Sequence, residues 1–263
     1  MNIIIRELRA NLLPLLVWFF PLALIMYAAS IEFNSFAGDP AIAEAMESFE
    51  ILFQALGTEV IDMTSPEGFI GLVSLYVYLP LSIYSGLLGS GIISKEEKNK
   101  TAEYLFTLPV ERNTVILSKF IVALLYSAII NIAIIFVLFV TYMNYDVSDY
   151  YVQFLVNMSI GVFLTQIIFL GVGMILSAVL KHYKKSGSIT IGILMSTFML
   201  SILIGMVDGK LDFIKFAIPF QYFPSGDMLS GDFNIGYIIL SLIIFISTVG
   251  STFYFYKKRD LYI

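Results

Sequence analysis

Three groups of residues are of types that could do chemistry. Glu96 and Glu97 are adjacent carboxylates followed by Lys100, His182 is the single histidine, and Gly86-Leu87-Leu88-Gly89-Ser90-Gly91 is a glycine run of a kind that can cradle phosphate. Each is weakened by its surroundings. A phosphate loop needs a strand before its glycines and a lysine after them, as in G-x-x-x-x-G-K-[ST]. The run here lies inside a long apolar stretch and that motif is absent, so the chain is not its own P-loop ATPase. One histidine is too few for a multi-histidine metal site or a histidine relay, and His182, beside Lys181, reads as a polar residue at a helix end. The chain has no cysteine, which removes thiolate metal sites, cysteine nucleophiles and disulfides.

The carboxylates matter more for where they lie. Ser94–Lys119, SKEEKNKTAEYLFTLPVERNTVILSK, carries nine charged residues between two long uncharged apolar runs. A loop this polar must leave a bilayer. Its apolar cluster, Leu105, Phe106 and Leu108, is poorly explained as linker and predicts a small helix shown to a soluble partner on the cytoplasmic side. Thr101 to Leu108 suffices for about two turns. Pro109 ends it, because the residue before a proline avoids helical geometry.

The elements that position this loop are membrane spans. The chain of 263 residues is 59% hydrophobic and 13% charged, with a mean hydropathy of +0.88. A soluble domain carries about a quarter charged residues, so the composition indicates an integral membrane protein. A spanning helix needs roughly 20 apolar residues. Six stretches qualify: 11–31, 69–93, 120–143, 150–180, 187–207 and 233–256. None contains a charged side chain. Carriers driven by protons or ions generally place Asp, Glu, Arg or His within the membrane. These spans offer Asn131, Gln153, Asn157, Gln166, Ser, Thr and Tyr, which points to an external source of power.

Lysine and arginine set the orientation. With both termini inside, 13 of the 15 basic residues face the cytoplasm and only Lys210 and Lys215 lie outside. Arg6 and Arg9 before an apolar run, with Ala28, Ala29 and Ser30 after it, could also mark a signal peptide, but the run is long for one. Ile4, Ile5 and Leu8 share a face flanked by Arg6 and Arg9, which predicts an interfacial helix on the inner leaflet before the first span. The first outer loop, 32–68, predicts a helix opened by Asp39-Pro40, carrying Ile42, Met46, Phe49, Phe53 and Leu56 on one face and closed by Gly57. Its Glu44 and Glu47 are a solvated face or, less simply, an attraction for cations. The second outer segment, 210–232, is broken by Pro219 and Pro224-Ser225-Gly226, as expected of a re-entrant or interfacial turn.

Small residues recur every four positions at Ser82, Gly86 and Ser90 in the second span and at Ser188, Gly192 and Ser196 in the fifth. Such stripes let helix backbones approach closely in lipid. Spacing alone leaves open whether they pack within one subunit or across a dimer.

The hydrophilic loop resembles the first cytoplasmic loop of ABC-2 type permeases, the membrane subunits of one class of ATP-driven exporters. The family pattern is roughly E-x-x-x-G-T-x-E-x-L-x-x-x-P-V-x-R, then a lysine opening the third span. Glu96, Thr101, Glu103, Leu105, Pro109, Val110, Arg112 and Lys119 match it, and Lys100 stands where the family has glycine. An amphipathic N-terminus, six spans, a broken outer segment and the basic tail Lys257-Lys258-Arg259-Asp260 extend the likeness to the whole chain. The Glu96-Glu97 pair also resembles the EExxxR of intramembrane metal-dependent prenyl-protein peptidases, whose sites need further histidines that this chain lacks.

The ABC-2 resemblance implies an all-α integral membrane protein with the fold of type V exporters, forming one permease domain over residues 1–263 in a bacterial plasma membrane. It implies two separate ATP-binding subunits, which carry ATP and Mg, a second permease copy or paralogue, contact with lipid, and no nucleic acid. The chain would then bind no cofactor and catalyse nothing. Leu105, Phe106 and Leu108 would enter an apolar groove of the ATPase, with Glu96, Glu97, Glu103 and Arg112 pairing at its rim. Family geometry makes Tyr76, Tyr84, Met195 and Phe198 candidates for lining a path along the dimer axis. The aromatic and methionine-rich interior suits lipophilic or amphipathic cargo, peptide toxins or antimicrobials first, then drugs or lipids. Two other readings are a non-transporting immunity or sensor protein of the same fold and a membrane-embedded enzyme.

Overall fold

Long runs with apolar side chains all round leave the backbone only itself to hydrogen-bond, and they form helices. The computed structural model describes residues 3–35, 37, 64–98, 111–180, 183–205 and 212–258. The helices are α1 (Ile3–Phe33), α2 (Pro66–Val73), α3 (Leu75–Lys98), α4 (Arg112–Tyr142), α5 (Tyr151–Val179), α6 (Tyr183–Gly205), α7 (Ser225–Ser230) and α8 (Ile235–Lys258). Two short 3-10 turns, Asp212–Ala217 and Pro219–Gln221, lie between α6 and α7. Among the described residues no strand is present. Among the described residues six helices, α1, α3, α4, α5, α6 and α8, are long and apolar enough to cross a membrane.

The amphipathic segment expected as a separate inner-surface helix is helical, but it runs into the first span without a break. α1 has 31 residues and continues through Pro14 and Pro21, a length of about 46 Å. Nothing in the first turns is a breaker, and other helices hold them: the Tyr126 hydroxyl of α4 donates to the Leu8 carbonyl at 2.6 Å. The second expected span is divided. Ser65 caps α2 by accepting from the Gly68 amide at 3.2 Å, with Pro66 in the first turn, and Ser74 separates α2 from α3. The helix of the third span starts at Arg112, eight residues before the apolar run, and so includes Lys119. The helix expected over 40–56 in the first outer loop lies outside the described residues.

α3 and α5 form the centre of the bundle and share its most extensive helix contact, while α8 is the least buried span. Glycine permits that central contact. A Cβ at Gly89 would stand 2.3 Å from the Leu170 carbonyl oxygen, and one at Gly173 would stand 2.2 Å from the Gly86 carbonyl oxygen. The broken segment before α8 is tied to three spans, by side chains of two of them and by its own Gln221 to the backbone of the third. Asn157 Nδ2 donates to the Met228 carbonyl at 2.9 Å, the Tyr78 hydroxyl to the Phe223 carbonyl at 3.3 Å, and Gln221 Nε2 to the Ser201 carbonyl at 2.8 Å. These bonds satisfy irregular backbone against protein. Gly231 closes α7 with φ +79, a left-handed cap that favours glycine.

Candidate functional site

The hydrophilic loop is bounded by the C-terminal end of α3 and the N-terminal end of α4. Thr101, Glu103, Leu105, Phe106, Leu108 and Pro109 lie outside the described residues. Glu96 and Glu97 lie in the last turn of α3, which ends at Lys98. Arg112 opens α4, and its Nη1 donates to the Lys257 carbonyl at 3.3 Å, tying the start of α4 to the end of α8.

A buried charge cluster sits at the base of this loop. Glu7 of α1 has no exposed surface. Its Oε2 accepts from Lys95 Nζ of α3 at 3.0 Å and its Oε1 from Arg6 at 3.1 Å. Lys119 of α4, equally buried, attracts the same carboxylate and donates its ammonium to the Ile92 carbonyl of α3. Helices α1 and α3 therefore meet on one carboxylate, with the buried ammonium of α4 close enough to attract it. Reading the loop motif identifies Lys119 as a position, but the role of Glu7 is not visible there. The available signal was its register. Ile4, Glu7, Leu8 and Asn11 share a helical face, so Glu7 is a charge on the side turned toward the bundle.

A second polar cluster joins the spans on either side of the loop to α5. Asn131 Nδ2 of α4 donates to Gln166 Oε1 of α5 at 3.1 Å, and Ser159 Oγ donates to Asn131 Oδ1 at 2.6 Å. Gln166 Nε2 donates to Ser85 Oγ of α3 at 3.2 Å, and Ser85 Oγ donates to Ser127 Oγ of α4 at 3.0 Å. Asn131 and Gln166 are almost wholly buried. Single interhelical bonds in membranes contribute about 0.6–2 kcal/mol. Gln166→Leu therefore lowers the stability of the detergent-solubilised protein by about 2 kcal/mol, measured as an earlier thermal midpoint, because it removes this cluster's tie of α5 to α3 and one of its ties of α5 to α4, leaving the Ser159–Asn131 bond.

The two small-residue stripes face different ways. Ser82, Gly86 and Ser90 are buried within the subunit. A Cβ at Gly86 would stand 3.0 Å from Thr190 Cγ2 of α6 and 3.6 Å from the Phe169 carbonyl oxygen of α5. Ser188, Gly192 and Ser196 lie on the exposed face of α6, and a Cβ at Gly192 meets nothing within 4 Å. The inward face of α6 is instead Ser186, Thr190 and Leu194.

The four pathway candidates are dispersed. Tyr76 is exposed, Met195 is half-buried, and Tyr84 and Phe198 are buried. Phe198 packs on Phe220 at 5.5 Å between ring centres. Tyr84 packs edge-on to Trp18 at 6.1 Å and helps form a groove of about 310 Å³ between α1 and α3. The groove is walled by Trp18, Leu87 and Leu88 and includes Lys95.

A six-span helical bundle with a charged loop rooted between its second and third spans defines a multi-pass membrane protein. The model of one protein family, the ABC-2 family transporter proteins, matches residues 1–261, and the chain belongs to that family. It is thus a permease subunit of an ABC transporter, a class that associates with ABC ATP-binding subunits. No curated protein matches it in sequence.

Proposed function

We propose that this permease exports a lipophilic or amphipathic cargo, with peptides such as toxins or antimicrobials favoured over drugs and lipids. Two separate subunits bind ATP and Mg and supply the energy. Family membership carries this reading, together with the charged loop between α3 and α4, which offers Leu105, Phe106 and Leu108 to an apolar groove of the ATPase. Glu96, Glu97, Thr101, Glu103, Pro109 and Arg112 complete the docking element. Both termini face the cytoplasm of a bacterial cell, since 13 of 15 basic residues then lie inside. The permease pairs with a second copy or a paralogue, and the exposed stripe Ser188, Gly192 and Ser196 is the face available for close contact. The groove between α1 and α3 favours amphipathic cargo, because its apolar walls run toward a polar end where Lys95 is paired with Glu7.

The test is reconstitution with an ABC ATP-binding subunit that co-purifies with the permease. Inside-out vesicles containing both proteins take up a fluorescent amphipathic peptide when ATP is added. The permease alone hydrolyses no ATP. Hydrolysis by the rigorously purified permease, or no stimulation of uptake of any peptide, drug or lipid probe by the pair, would refute the proposal.

A further inference from the structure

Glu7 is a fully buried carboxylate that the docking element does not use. Its contacts are arranged around the loop. Lys95 stands on the arm that descends into it and Lys119 on the arm that leaves it, and Glu7 faces both from α1. Lys119 also reaches across to the Ile92 carbonyl, so the two arms are joined to each other as well as to α1. The Tyr126–Leu8 hydrogen bond adds a second tie between α1 and α4, one that carries no charge.

We propose that Glu7 is a positioning residue, an electrostatic latch that fastens α1 to both arms of the coupling loop. A displacement of the loop then carries α1, α3 and α4 together. Without the latch, α3 and α4 follow the loop while α1 lags, and the groove between α1 and α3 no longer opens and closes with the ATP cycle. The inference rests on the reading that the loop receives its drive from an ATP-binding subunit. The physical basis is charge: a carboxylate facing two lysines in a buried setting holds them far more firmly than a neutral amide of the same shape. Apolar packing alone lets helices slide past each other, because lipid competes equally for apolar surfaces.

The experiment uses two readouts. The first is transport per ATP hydrolysed in vesicles of the assembled complex, with ATPase retention measured on the tagged permease. Glu7→Gln keeps the shape and removes the charge. It is expected to leave ATPase retention unchanged and to lower transport per ATP roughly tenfold, an ordinary magnitude for coupling between sites. Glu7→Asp restores most of the ratio. Lys95→Gln, on a partly exposed partner, shows the same uncoupling and decides the matter should Glu7→Gln fail to accumulate.

The second readout is independent of any partner. The chain has no cysteine, so spin labels placed only at Leu13→Cys and Gly91→Cys report the α1–α3 distance. Leu13 is exposed, and a side chain at Gly91 meets nothing within 4 Å. Glu7→Gln is expected to broaden that distance distribution, and Glu7→Asp to narrow it again. Unchanged distances in both Gln variants, or wild-type transport per ATP in both, would overturn the latch. A broadened distance in a protein that no ATP-binding subunit drives would leave the latch standing and fail only the coupling reading.

Discussion

Replacing Phe106 and Leu108 together by alanine strips the ATP-binding subunit from the permease. Both side chains are apolar in a segment with nine charges, and an isolated subunit gains nothing by exposing them. Burying each at an interface contributes roughly 1.5–3 kcal/mol. Truncating a central apolar anchor commonly costs about 2 kcal/mol or more, and paired losses are less than additive. A combined loss of about 3 kcal/mol is roughly a hundredfold in Kd. The measurement is the amount of ATPase retained on affinity-tagged permease, variant against wild type. Membrane insertion is unchanged, because no span is touched. Equal retention with undiminished export would show that the drive enters elsewhere.

Gly173→Ala and Gly192→Leu should fail in opposite ways, although each changes one glycine in a span. At Gly173 the added methyl would stand 2.2 Å from the Gly86 carbonyl oxygen and 2.9 Å from the Ser90 amide nitrogen. Both obstacles are backbone, so no rotamer relieves them and α3 must separate from α5. These are the two most buried spans. Overpacking at such a site costs about 3 kcal/mol, which lowers the thermal midpoint by roughly 10 °C. Gly192 presents the contrary case, since its Cβ meets nothing and leucine can point outward. The fold of the single chain keeps its stability, and what falls is recovery of one tagged copy with another. A Gly173→Ala protein as stable as wild type would contradict the α3–α5 contact. Undiminished pairing of Gly192→Leu copies would remove the exposed stripe from the interface.

Much of this molecule is legible in one dimension. The bilayer demands about 20 apolar residues per crossing, and a run either supplies them or does not. Six uncharged stretches therefore forecast six spanning helices, and the charged island between the second and third could lie only outside the membrane. The turn residues of 219–226 likewise announced a broken segment, and the structure divides that region into short helical pieces. The loop motif pointed to the family that the chain-long match establishes.

The sequence is silent about facing. In water an amphipathic stripe shows which side of a helix turns inward, but lipid is as apolar as the core and erases that contrast. Two small-residue stripes of the same spacing therefore read alike, yet Gly86 packs against α5 and α6 while Gly192 looks outward. Asn131, Gln166 and Ser85 are single polar residues on three separate runs, and only the bundle makes them one cluster. The same holds for Glu7. Its charge is written beside Arg6 as though both belonged to a solvated end, but α3 and α4 bring Lys95 and Lys119 around it. Hydrophobicity is local and can be counted along the chain, whereas close packing and the pairing of buried charges depend on which helices meet.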